Sequence, residues 1–217
     1  MYISIEVPDI PDYPNGFLKY WSKLIFNGAV SSNYQIVSLA STYVRLVEAA
    51  LVEYRLGASM LRDFWAPNIV LKISSSNRSV SHFESCLSNM QRAIRCYNRL
   101  RQHKSKDALC LAINCQKPSF ATDRVAKQIR DIRDVIHHFE ERLMKGDIQE
   151  GQPFMLKSDG PETPHTTEPN QTIKTIDRLV LGQHELLFSS LSTWLTEMGS
   201  FAEMITEFDA DRSASVV

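Results

Sequence analysis

The chain has 217 residues, 43% of them hydrophobic and 23% charged, with a formal net charge of −1. This composition can bury a proper core. The near-neutral balance excludes attraction to nucleic acid through bulk charge, so any basic surface must be local. The four cysteines, Cys86, Cys96, Cys110 and Cys115, form no CxxC pair, and Glu6, Pro8 and Asp9 interrupt the apolar run a secretory signal needs. The expectation is a cytoplasmic protein with reduced, mostly structural thiols. Leu24–Val44, the longest uncharged run, is dotted with Asn, Ser, Gln and Thr. It makes a costly bilayer span, which predicts a soluble chain without a membrane partner.

In chain order, Tyr2, Ile3, Ile5 and Val7 alternate before Pro8, Pro11 and Pro14, as an edge strand or a partner-binding arm. Phe17–Phe26 begins a short helix. Asn33 is placed to cap a long helix over Tyr34–Phe64, with Val37, Ala40, Val44, Val47, Leu51 and Tyr54 on one face. Gly57 is a candidate kink and Pro67 a stop. Ile69–Ser76 reads as a connection. Ser79–Lys104 is a second strong helix with Phe83, Leu87, Met90, Ile94 and Tyr97 buried, and with Arg92, Arg95 and Arg99 in a stripe on its outer face. That stripe is either a solvated face or a track for RNA phosphates.

Ser105–Phe120 reads as a connection, after which Ser119 or Thr122 caps a helix over Arg124–Lys145. Gly146 ends that helix. Gly151–Gln171 is polar and proline-rich, a loop flanked by Phe154–Lys157 and Ile173–Leu181, which alternate as a small β-hairpin. Gly182 leads into a last helix near Glu185–Phe208, with Leu187, Leu191, Trp194, Met198, Ala202 and Ile205 as its core stripe. The fold predicted is all-α: an antiparallel four-helix bundle over 34–208 with a small β-hairpin insertion (146–184) before the last helix. An N-terminal arm and short helix occupy 1–33, and 209–217 is a disordered tail.

The helix over Arg124–Lys145 carries the chemistry. Val125, Ile129, Ile132, Ile136, Phe139 and Leu143 recur at threes and fours and place one face on a core. At about 100° per residue, Arg130, Arg133 and His137 share one flank and Asp134 and His138 the next. Guanidinium offers phosphate oxygens a planar fork of donors that is always charged. Imidazole titrates near neutrality and can move a proton. Asp134 can hold His138 across one turn or bind Arg133 back.

The run Arg133-Asp134-Val135-Ile136-His137-His138-Phe139-Glu140-Glu141-Arg142-Leu143 resembles the motif helix of HEPN-domain proteins: an arginine, a polar residue after it, and a histidine a turn or two later. Four residues separate Arg133 from His138, and six separate Arg130 from His137, a looser fit. Asp134 stands where Asn is frequent. Phe139-Glu140 departs from the His-x-Tyr ending of toxins silenced by nucleotide transfer onto tyrosine. The resemblance extends over Tyr34–Phe208 and implies a helical bundle in which two antiparallel helices precede the motif helix. It implies a homodimer with two motifs lining one cleft, and a metal-independent endoribonuclease of toxin–antitoxin or phage-defence systems with a possible cognate antitoxin or defence-system partner. By this resemblance Arg133 and His138 are catalytic and Asp134 supports them. His137 and Arg130 are the alternative pair, and no cofactor or metal is required.

Two other readings stand beside this one. The first is a non-catalytic helical interaction module that holds a protein or RNA partner through Arg92, Arg95 and Arg99 or through the N-terminal arm. The second is a metal-binding bundle built on Asp134-x-x-His137 and His137-x-x-x-Glu141, which needs further ligands from other helices. No Gly-rich phosphate loop, GxSxG elbow or HExxH is present.

Overall fold

A computed structural model of the chain describes residues 1–13, 15–26, 30–66, 73–147, 153 and 155–208. Pro14, Pro67, the start of the 69–76 connection, Phe154 and the 209–217 tail lie outside the described residues. Among those described, the order is β1 (Tyr2–Ile5), α1 (Leu18–Phe26), α2 (Tyr34–Phe64), α3 (Ile73–Arg101), α4 (Ala108–Asn114), a 3-10 turn (Ser119–Ala121), α5 (Asp123–His137), α6 (Phe139–Met144), β2 (Lys157–Asp159), β3 (Glu162–Pro164), β4 (Thr172–Ile176), β5 (Arg178–Leu181), β6 (His184–Leu187) and α7 (Phe188–Glu207).

This layout overturns the all-α four-helix bundle with one hairpin. Among the described residues there are seven α-helices and two sheets of three strands each, ordered β1-β4-β3 and β2-β5-β6. Two features of the sequence hid the sheets. Strands of three residues, such as β2 and β3, are too short to display a period of two. The pairing of β1 with β4 is parallel, with Tyr2 opposite Ile173 and Ile5 opposite Ile176, and no local turn signals it. Of the expected strand Phe154–Lys157 only Lys157 is in a described strand, opposite Val180, and β2 is one edge of a three-stranded sheet and not half of a lone hairpin. Asp177 divides Ile173–Leu181 into β4 and β5. Gly182, at φ +56°, turns β5 back into β6 and does not open the last helix.

The chain divides into two compact units. The first holds 1–10, 52–86 and 130–193, and so both sheets, with parts of α2, α3, α5 and α7. Its core includes Tyr54, Phe83 and Phe188, with ring centroids 6.0 Å and 5.2 Å apart in sequence. The arm is latched to α2: the Tyr54 hydroxyl donates to the Pro8 carbonyl at 2.7 Å, and Arg62 Nη2 donates to the Val7 carbonyl at 2.7 Å and to Asp9 at 2.8 Å. α2 runs unbroken through Gly57, where no kink is needed. A Cβ at Gly57 would stand 3.1 Å from the Phe83 ring, so the glycine admits that ring, and Ser79 Oγ donates to its carbonyl at 2.8 Å. α3 begins at Ile73, earlier than the serine-rich run suggests, because Ser75 and Ser79 are buried.

The second unit holds 11–51, 87–129 and the chain from Trp194 onward. Edge-on rings build its centre: Tyr43–Phe201 at 5.3 Å, Tyr97–Phe201 at 4.9 Å and Tyr97–Phe120 at 5.2 Å. Glu197 accepts from Ser119 N–H and Oγ, both at 2.8 Å, and from Phe120 N–H at 3.2 Å, which fixes the 3-10 turn ahead of α5. Thr122 Oγ1 accepts from Val125 N–H at 3.4 Å and caps α5. α4 lies in the stretch expected as a plain connection. Asp107 caps it by accepting from Leu109 N–H at 2.9 Å.

Among the described residues α2 alone is long and apolar enough, by length and composition, to cross a membrane. Its Ala40, Val44, Val47 and Leu51 are buried inside the protein.

Candidate functional site

The motif lies in the first unit, on the part of α5 that starts at Arg130 and on α6. The apolar face of α5 runs as expected through Val125, Ile129 and Ile132, all buried. The next buried residue is Val135, not Ile136, which is half-buried together with Phe139. Leu143 is 48% exposed, so the stripe fades before the expected end of the helix. Once packing lapses, the helix has little to hold it as one rod.

The rod does break. α5 ends at His137, and His138 leaves helical geometry with φ −115° and ψ 25°. Its N–H still bonds to the Asp134 carbonyl at 3.0 Å, while its own carbonyl accepts from Arg142 N–H at 3.0 Å and starts α6. His137 therefore closes one helix and His138 heads the next. Both are exposed. α6 stops at Gly146, as the sequence predicts: φ is +76°, Gly146 N–H bonds to the Leu143 carbonyl at 3.1 Å and Asp147 N–H to the Arg142 carbonyl at 3.0 Å, a Schellman ending.

Of the two roles open to Asp134, the geometry takes the second. Arg133 Nη1 donates to Asp134 Oδ1 at 3.0 Å, and both side chains are about one third exposed. His138 Nδ1 lies 3.9 Å from Glu141 Oε2 instead. Arg130 Nε is 3.8 Å from Asp131. Among the described residues, the bond to Asp134 uses a single donor of the Arg133 fork, which carries five.

His184 is a further histidine of the first unit. It belongs to β6, opposite Leu181. Burial lowers its pKa, the field of Asp131 raises it and that of Arg142 lowers it. Nothing in the linear sequence signals this neighbourhood, since Asp131 and Arg142 stand far earlier in the chain than His184.

Arg92, Arg95 and Arg99 are exposed along α3 in the second unit, as the stripe predicts. Among the described residues no three His, Cys, Asp or Glu side chains gather as a metal site, and Asp134, His137 and Glu141 do not form one. A cavity of about 380 Å³ in the first unit is lined by Ile5, Glu6, Val7, Pro8, Asp177, Leu187 and Ser189, so the motif residues are not part of its wall. The two imidazoles of the motif are exposed at the helix junction, while Arg133 and Asp134 are part-buried. All four cysteines are free thiols, and only Cys115 is exposed. No family model, curated protein or solved structure matches the chain.

Proposed function

We propose that the α5–α6 junction is the reactive site of a metal-independent endoribonuclease acting in the cytoplasm. One observation carries the reading: two exposed imidazoles meet at a helix break one turn after an arginine whose fork is only partly occupied. In the proposed reaction the ribose 2′-hydroxyl loses its proton to a neutral imidazole, His138 with His137 as the alternative, and its oxygen attacks the adjacent phosphorus. The P–O5′ bond breaks, the 5′-oxygen takes a proton from water, the imidazolium returns its proton to the hydroxide so formed, and a 2′,3′-cyclic phosphate remains. Arg133, held by Asp134, stabilises the extra negative charge on the phosphoryl oxygens. Such a donor is worth about 3–4 kcal/mol in the transition state. An exposed junction suits a site completed by a second copy of the chain, and a toxin–antitoxin or phage-defence setting is the biological context we propose.

The test is incubation of purified protein with mixed RNA in EDTA, with end-group analysis. Cleavage leaving cyclic phosphate ends is expected. Arg133→Ala should lower the rate by about 10²–10³-fold, and His138→Ala by about 10²–10⁴-fold. Intact RNA, or cleavage unchanged in both variants, would sink the reading. A non-catalytic interaction module is the second reading, favoured by the Arg133–Asp134 pair, which gives the arginine a structural partner. Asp134→Ala separates the two: freeing the fork alters RNA turnover under the first and leaves RNA untouched under the second.

A further inference from the structure

The arginine stripe of the second unit gains a member that helix periodicity within α3 does not contain. Arg92, Arg95 and Arg99 are exposed on α3, and Arg45 is exposed on α2. Gln35 on α2 bonds to His103 just beyond α3 at 3.3 Å, and Tyr43 of α2 and Tyr97 of α3 both pack edge-on against Phe201, so Arg45 stands on the stretch of α2 that runs beside the stripe. All four guanidinium groups also act on the Cys96 thiol. None of the four is hydrogen-bonded or ion-paired to a described residue. Between Leu87 and Lys106 the chain holds no acidic residue. In a chain of net charge −1, this is a local concentration of unneutralised charge.

Unpaired like charges repel, and a fold gains nothing by gathering them on an open surface. Arginine is also the side chain whose fork fits phosphate oxygens. Along α3 the rise is about 1.5 Å per residue, so Arg92 to Arg95 spans about 4.5 Å and Arg95 to Arg99 about 6 Å. That is the scale of successive phosphates. Single-strand binders add aromatic platforms for the bases. Here Tyr97, the aromatic residue between Arg95 and Arg99, is buried, and Gln91 and Asn98, each next to a stripe arginine, are polar.

We propose that Arg45, Arg92, Arg95 and Arg99 dock the phosphodiester backbone of a double-helical nucleic acid, reading charge and shape without reading bases. The inference deepens the ribonuclease reading by naming what holds a structured RNA substrate, and it rests on that reading only for the choice of RNA.

The experiment measures affinity of the full chain for a duplex of about 16 base pairs, as RNA and as DNA, from about 50 to 200 mM salt. Four phosphate contacts predict a log–log salt slope of about −3 to −4. Arg45→Gln should make the slope shallower by about one, and the fourfold Arg-to-Gln variant should nearly abolish it. Circular dichroism should show all variants folded, since the residues are exposed. Tighter binding to RNA than to DNA identifies the RNA duplex, and equal binding a generic backbone; both support the docking surface. A slope unchanged in the fourfold variant, or polyglutamate bound as tightly as the duplex, overturns it. Cleavage of a ribodinucleotide, which presents only the reacting phosphate, is followed in parallel. A fourfold variant that still cleaves the dinucleotide, but has lost its salt slope, supports docking and cleavage together. Salt-dependent binding without any cleavage leaves the docking surface standing and removes the ribonuclease.

Discussion

His184 shows how placement sets the charge of a residue. Burial holds its imidazole below its usual value, and Arg142 adds to this while Asp131 opposes it. In the unfolded chain histidine takes its proton near pH 6.5. The folded protein resists protonation to lower pH, so between the two values the unfolded state binds more protons. The stability His184 contributes is therefore present above about pH 6.5 and is lost as pH falls through the lower folded value. Urea unfolding at about pH 7.5 and pH 5.5 should show His184→Gln losing less stability on acidification than the parent. An identical loss in both proteins would refute the assignment. Arg133 behaves differently: its charge is fixed, and what Asp134 alters is the number of donors left free.

At the scale of elements, the sheets depend on a glycine and a carboxylate that meet at one corner. A Cβ at Gly160 would fall 1.8 Å from the Thr175 carbonyl oxygen, so no other residue fits without moving β4. Gly160 N–H donates to Asp159 at 2.8 Å, and the same carboxylate binds Lys157 at 2.7 Å and Lys174 at 2.6 Å. Burial works to raise the Asp159 pKa, but the hydrogen bonds from Lys157, Lys174 and Gly160 hold it well below the usual carboxylate range. Gly160→Ala should cost about 1–3 kcal/mol through forced displacement. The check is a lower urea midpoint at unchanged slope. A midpoint equal to the parent's would show that β4 yields freely.

The elements differed in how plainly the sequence announced them. The stripes of α2 and α3 were legible because Ala40, Val44, Val47 and Leu51, and Phe83, Leu87, Met90 and Ile94, keep one period over many turns and are all buried. Gly146 was legible because a positive φ at a helix end favours glycine. α4 was missed although Asp107 before an apolar run was a fair signal. The break at His138 was not legible. Ile136, Phe139 and Leu143 continue the period on paper, and only the loss of a packing surface past Val135 ends the helix. The start of α7 moved from Glu185 to Phe188 for a related reason: Glu185 is claimed by the ladder opposite Val180.

Among the described strand pairings, the one that spans most sequence is β1 on β4, which joins Tyr2 to Ile173. A parallel pair that far apart in sequence closes a large loop, and closure entropy delays its formation. Contacts formed late slow unfolding without speeding folding. Deleting Met1–Ile5 should raise the unfolding rate several-fold and leave the refolding rate nearly unchanged in stopped-flow denaturant jumps. Slowed refolding with unaltered unfolding would mean that the strand nucleates early. The deletion also bares one edge of β4, so the truncated chain should aggregate more readily.

What the sequence determined by itself was local: helix periods, caps and stops, the arginine stripe on α3, and the residue order of the Arg133–His138 motif. Each depends on neighbours within a few turns, and a few turns of sequence contain them. Tertiary structure alone decided that the arm is a strand, that two sheets replace one hairpin, that the Arg45 stretch of α2 lies beside the α3 arginines, that His184 lies in β6 within the fields of Asp131 and Arg142, and that the motif helix parts at His138. These outcomes depend on which surfaces are free to pack and pair after the chain has closed on itself, and the partners involved stand tens to more than a hundred residues apart.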